Sequence, residues 1–89
     1  MKNKLIVNLK TSALKHGIQK EDILYVVDNP ILDNMIEIFP EKYLIIGFDR
    51  NGNLLEIVYE LENDEILKVF HAMKCRKSYI SILRQQFGR

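Results

Sequence analysis

Apolar and polar positions change their period partway along the chain. Around Gln19–Val27 they recur at helical spacing: Ile23, Val26 and Val27 share a face, and Glu21 and Asp22 occupy the first turn, where acids suit the helix dipole. Asp28-Asn29-Pro30 ends this predicted helix, because the residue before a proline avoids helical backbone. A shorter helix is predicted over Leu9–His16, with Lys15 and His16 near its end and Gly17 following as the residue that turns the chain. From Met35 onward the period shortens to two. Met35–Phe39 reads as a strand closed by Pro40, and Tyr43–Asp49 as a second. The Asn51-Gly52 pair then signals a tight hairpin. Leu54–Leu61 is the return strand, with Leu55, Ile57, Tyr59 and Leu61 on one face and Glu56 and Glu60 beside Leu54 and Val58 on the other. Glu62-Asn63-Asp64 is a turn, Glu65–Ala72 a fourth strand, and Lys74–Gln86 a final helix with Ile80, Leu83 and Phe87 on one stripe.

These elements run α-α-β-β-β-β-α. The class they predict is α+β: two short N-terminal helices, a four-stranded antiparallel meander sheet, and a C-terminal helix, with the helices covering one face of the sheet. At 89 residues the chain forms one domain, 1–89, with a core too small to enclose a complex cofactor. With 47% hydrophobic and 28% charged residues, the composition is that of a globular domain.

Charge adds a second pattern. The net charge is only +1, but residues 1–20 hold five lysines and no acid. Residues 21–65 hold all twelve acids with only Lys42 and Arg50, and residues 66–89 hold six basic residues and no acid. Such segregation points to an interaction surface, and the basic ends point to nucleic acid. One cysteine, Cys75, allows neither an internal disulfide nor a cysteine-rich metal site. The first apolar run ends at Val7, too short for a secretion signal, and nothing approaches a membrane span, so a cytoplasmic location without membrane contact is expected.

Three segments in this order resemble a known family. Lys15-His16-Gly17-Ile18 followed by Asp28-Asn29-Pro30 resembles the opening of BrnT-type toxins, members of the RelE-like ribonuclease group of type II toxin–antitoxin systems. The hairpin Ile45–Tyr59 and the stretch Val69-Phe70-His71-Ala72-Met73-Lys74-Cys75-Arg76-Lys77 resemble its hairpin and its last strand running into a basic helix. The His71-Ala72-Met73 wording marks a distinct subgroup of this resemblance, which covers roughly residues 10–85. It implies a RelE/BrnT-like fold, metal-independent cleavage of RNA, with ribosome-associated messenger RNA as a candidate substrate, and a cognate antitoxin as partner.

The residues allow that chemistry. RNA cleavage without a metal uses the substrate's own 2′-hydroxyl, so the protein must supply a base, an acid and positive charge. His71, Lys74, Arg76 and Lys77 offer all three within seven positions and are the candidate catalytic residues. Lys15, His16, Tyr79 and Arg84 are candidate RNA-binding residues, Tyr79 by stacking on a base. Each has a plainer reading: Lys15 and His16 as helix-end residues, Tyr79 as partly buried packing, Arg84 as a solvated charge, and His71 as a strand histidine with a local hydrogen bond. Cys75, between two cations, reads as an inert thiol, and Gly47 as a bulge or a point of close packing. No metal-ligand spacing and no phosphate-binding loop occurs, and no cofactor is expected.

Two other functions fit the same residues. One is a non-catalytic module that binds RNA, DNA or an acidic partner through the basic surface. The other is an interaction protein whose Tyr43–Leu61 hairpin offers an open edge to a partner strand. A homodimer and a toxin–antitoxin hetero-oligomer are both compatible with the sequence.

Overall fold

A computed structural model describes residues 6–87. The elements are β1 (Ile6–Leu9), a 3₁₀ turn (Thr11–Leu14), α1 (Lys20–Asp28), β2 (Leu32–Ile38), β3 (Glu41–Phe48), β4 (Leu54–Leu61), β5 (Ile66–Lys74) and α2 (Lys77–Phe87). The sheet order is β1-β5-β4-β3-β2, with β1 parallel to β5 and the other neighbours antiparallel.

The α+β class stands, but the predicted architecture is corrected in two ways. The sheet has five strands and is mixed, and among the described residues a single α-helix, α1, stands before β2, between it and β1. The segment predicted as a helix over Leu9–His16 is instead the end of β1 and a single 3₁₀ turn. Around Ile6–Leu9 exposure alternates residue by residue, the signature of a strand. β1 forms because the outer edge of β5 is open to it, pairing Ile6 with Ile66 through Leu9 with Val69. That edge arises some sixty residues later in the chain, so no local pattern announces it.

The second correction concerns the layers. The helices do not share one face of the sheet. Ile23, Val26 and Val27 of α1 and Ala13 of the 3₁₀ turn pack on Ile45, Leu55, Ile57, Tyr59, Leu67, Val69 and Ala72. On the opposite face, Tyr79, Ile82 and Leu83 of α2 pack on Leu44, Ile46 and Val58. Of the predicted stripe Ile80, Leu83 and Phe87, Leu83 packs here, with Tyr79 and Ile82 beside it, while Phe87 is exposed. β4 is consequently covered on both faces at Leu55–Tyr59, including Glu56, which an uncovered face would have left in water.

Local features hold the layers in register. A Cβ on Gly47 would lie 3.0 Å from Val26 Cγ1 and 3.1 Å from the Asn29 carbonyl oxygen, so glycine lets α1 sit close on β3. Gly52 takes a positive φ of 83° in the β3–β4 turn, as the Asn-Gly pair predicts. Arg50, just after β3, donates from its backbone N and Nε to the Asp22 carboxylate, tying this turn to α1. Those bonds hold the Asp22 carboxyl below its ordinary pKa, against the opposing effect of desolvation.

Candidate functional site

The site is built around a residue that sequence reasoning passed over. Glu56 is the only acid in the otherwise apolar run Leu54–Tyr59, and its side chain is wholly buried against the sheet face that carries α2. A buried carboxylate needs partners, and Glu56 has them. His71, on neighbouring β5, lies with Nε2 2.9 Å from Glu56 Oε2. Arg76, in the link between β5 and α2, donates to Glu56 from its backbone N at 2.8 Å and from Nη2 at 2.7 Å. Its Nε adds bonds of 3.2 and 3.0 Å to the two carboxylate oxygens.

The connection between β5 and α2 makes this possible. Cys75 N donates to the Leu54 carbonyl, continuing the β4–β5 pairing by one residue, and Arg76 then turns into α2 and accepts from the backbone N of Tyr79 and Ile80. Glu56 thus sits beneath the first turn of α2. Arg76 also lies over the Tyr79 ring at 5.2 Å, a cation–π contact across one helical turn.

Burial alone would raise the pKa of Glu56, but the bonds from Arg76 and His71 outweigh it and hold the carboxyl below its ordinary value. Glu56 in turn holds the Arg76 guanidinium more firmly cationic. Because an ionised carboxylate only accepts, His71 donates from Nε2, which leaves Nδ1 of the neutral ring as its basic nitrogen.

A second histidine completes the cluster. The His16 ring meets the His71 ring edge-on, with centroids 5.7 Å apart and planes at 77°. The 3₁₀ turn is fastened to β5 beside it: Lys10 N donates to the Val69 carbonyl, and Ser12 Oγ donates to the Phe70 carbonyl at 2.7 Å. Gly17 follows with a positive φ of 80°. Residues 55 positions apart are thereby brought into contact, and His16, which reads from the sequence as a helix-end residue, lies on the exposed side of His71.

The other sequence candidates fall around this centre. Lys74 ends β5, Lys77 begins α2, and both are exposed, as is Lys15 beside His16. Tyr79 is half-buried on the packed face of α2 and under Arg76, so it is not a free stacking platform. Arg84 lies eight residues along the helix from Arg76, about 12 Å by helical rise, and does not join the cluster. Burial and Glu56 push the Cys75 thiol up, against the pull of Arg76, so flanking cations do not activate it. Among the described residues no three His, Cys, Asp or Glu side chains converge as a metal-ligand set, and no helix is long and apolar enough to cross a membrane.

A signal for Glu56 was present in the sequence. An acid flanked on both sides by apolar strand residues marks a candidate for burial, without showing what covers or pairs it. Comparison with protein-family models, with curated proteins and with solved structures found no match.

Proposed function

We propose that this protein cleaves RNA without a metal, as the toxin of a toxin–antitoxin pair similar to the BrnT type, and that His71 and His16 are its acid–base pair. The observation that carries this reading is the edge contact of two histidines, one of them oriented by a buried glutamate. A carboxylate behind an imidazole is the arrangement that selects a tautomer for proton transfer.

In the proposed step the 2′-hydroxyl of the substrate attacks the adjacent phosphorus. His71 Nδ1 takes the hydroxyl proton, a bond forms from the 2′-oxygen to phosphorus, and the bond from phosphorus to the 5′-oxygen breaks. His16 in its protonated form gives a proton to that leaving oxygen. The products are a 2′,3′-cyclic phosphate and a 5′-hydroxyl end. Lys74 and Lys77 supply positive charge near the phosphates, whereas Arg76 turns its Nε and Nη2 to Glu56 and acts by placing that carboxylate.

The test is cleavage of a labelled RNA by purified protein in excess chelator, with identification of the product ends. Cyclic phosphate ends, lost in His71→Ala and in His16→Ala, support the reading. Intact RNA with a well-folded wild type overturns it. Salt-sensitive RNA binding without cleavage would move the assignment to a non-catalytic module using the exposed Lys15, Lys74 and Lys77.

A further inference from the structure

Among the described residues the outer strands of the sheet are β1 and β2, not the hairpin strands β3 and β4, which lie inside it. The β2 side carries exposed apolar residues. Met35, Ile36, Ile38 and Phe39 are 47, 42, 63 and 92% accessible, a concentration of apolar surface on one edge strand and the turn after it. Sheet edges are normally blunted or covered, because their unpaired backbone invites another strand. Exposed apolar surface framed by polar residues marks an interaction site.

The frame here is acidic. Between residues 31 and 42 the sequence holds three acids and one base, Lys42; Asp33 accepts from the Tyr59 hydroxyl at 2.9 Å and Glu41 from the Tyr43 hydroxyl at 3.0 Å, neutral donors that leave the carboxylate charge in place. Lys42 pairs with Glu37 at 3.6 Å, and both side chains remain partly exposed. A second copy pairing β2 to β2 across a two-fold axis would bring both sets of acids onto one seam, which like charges oppose. A strand carrying lysine or arginine meets the same edge with complementary charge. The pairing register shifts between Met35 and Glu37, leaving Ile36 as a bulge. A bulge interrupts a ladder, so regular pairing is limited to the stretch before it, and the residues after it offer side-chain contact.

We infer that the β2 edge is a docking site for an extended segment of another protein in which apolar residues alternate with lysine or arginine. The segment adds as a short strand along Leu32–Met35 and rests its apolar side chains on Ile36, Ile38 and Phe39. β2 is three strands from β5, about 14 Å across the sheet, so this partner does not occupy the histidine site. The inference does not depend on RNA cleavage.

The test titrates isotope-labelled full-length chain with two short synthetic peptides, valine alternating with lysine and valine alternating with glutamate. The lysine peptide is expected to shift the amide signals of Leu32–Phe39, and the glutamate peptide to bind about tenfold more weakly or worse, with the difference shrinking in high salt. The double variant Ile38→Lys/Phe39→Lys, at exposed positions that leave the fold intact, is expected to abolish the β2 shifts. Equal binding of both peptides, shifts centred away from β2, or no shifts at all would overturn the inference. So would sedimentation showing a wild-type dimer that the double variant dissolves, since a second copy would then occupy the edge.

Discussion

Arg76 reaches from the start of α2 to the carboxylate of Glu56 in the middle of β4 and binds it through backbone N, Nε and Nη2, the shortest bond being 2.7 Å. The guanidinium is half-exposed and the carboxylate is wholly enclosed. The pair therefore joins α2 to the sheet at one point and sets the position of the carboxylate that meets His71. Fold and candidate site share this link.

Glu56→Gln removes the charge while keeping the shape. A neutral amide cannot accept from His71 and Arg76 at every position the carboxylate does, so donors are set against donors. The expected loss is about 2–3 kcal/mol of unfolding free energy, the scale of one or two hydrogen bonds to a charged group. Chemical denaturation measures it. Nitrogen-15 spectra should show His71 protonated at Nε2 in the neutral wild-type ring and a mixture of tautomers in the variant. An unchanged tautomer would mean that Glu56 does not orient His71.

Stability should also depend on acid through the same residue. The folded pKa of Glu56 lies below its ordinary value of 4.5. Its contribution is thus fully present above about pH 4.5 and is lost as the pH falls further toward the folded value. Asp22, lowered by Arg50 from 3.8, acts in the same direction at lower pH. Unfolding curves from pH 6 down to 3 should show wild type losing stability over this range and Glu56→Gln losing less; parallel curves would contradict the assignment.

Histidine replacement separates the two halves of the proposed chemistry. His71→Ala and His16→Ala should each lower cleavage by about 10²–10⁴-fold, the usual range for removing a general acid or base. His16 is exposed, so its loss should leave thermal stability nearly unchanged. A substrate with a leaving group that needs no proton should restore activity to His16→Ala and not to His71→Ala. Equal rescue of both would reverse or remove the assigned roles.

The exposed lysines are tested by salt. If Lys74 and Lys77 each neutralise one phosphate, Lys74→Ala/Lys77→Ala should flatten the plot of log affinity against log salt by about 1.4, at about 0.7 per phosphate for single strands. An unchanged slope would remove both from the RNA surface.

Gly47→Ala probes the close approach of α1. The new methyl would press on Val26 Cγ1 at 3.0 Å and the Asn29 carbonyl at 3.1 Å. The end of α1 must then shift, at a cost of about 1–3 kcal/mol. Calorimetry reads this directly, and a stability unchanged from wild type would show that the helix yields freely.

Much of the framework was legible in local pattern. The hairpin Tyr43–Leu61 was marked by alternation and by Asn51-Gly52, and α1 by the spacing of Ile23, Val26 and Val27 before Pro30. β1 was not, because a four-residue strand has little signal of its own and owes its existence to the β5 edge. Glu56 was assigned to the face of Leu54 and Val58, but its burial was not legible for a related reason. Which face a terminal helix covers depends on the path of the chain after β5.

The sequence by itself determined the residue types and their local settings: an α+β chain, acid-free basic ends, an acidic middle, and His71 with Arg76 at a strand–helix junction. These follow from nearest-neighbour physics, from side-chain period, turn chemistry and charge. Only the tertiary structure decided that His16 touches His71, that Glu56 lies buried beneath Arg76, and that β2 is an outer strand with exposed apolar residues. Each of these is a relation between segments far apart in the chain, set by which faces and edges must be covered to bury the apolar surface, and no local window of sequence contains that information.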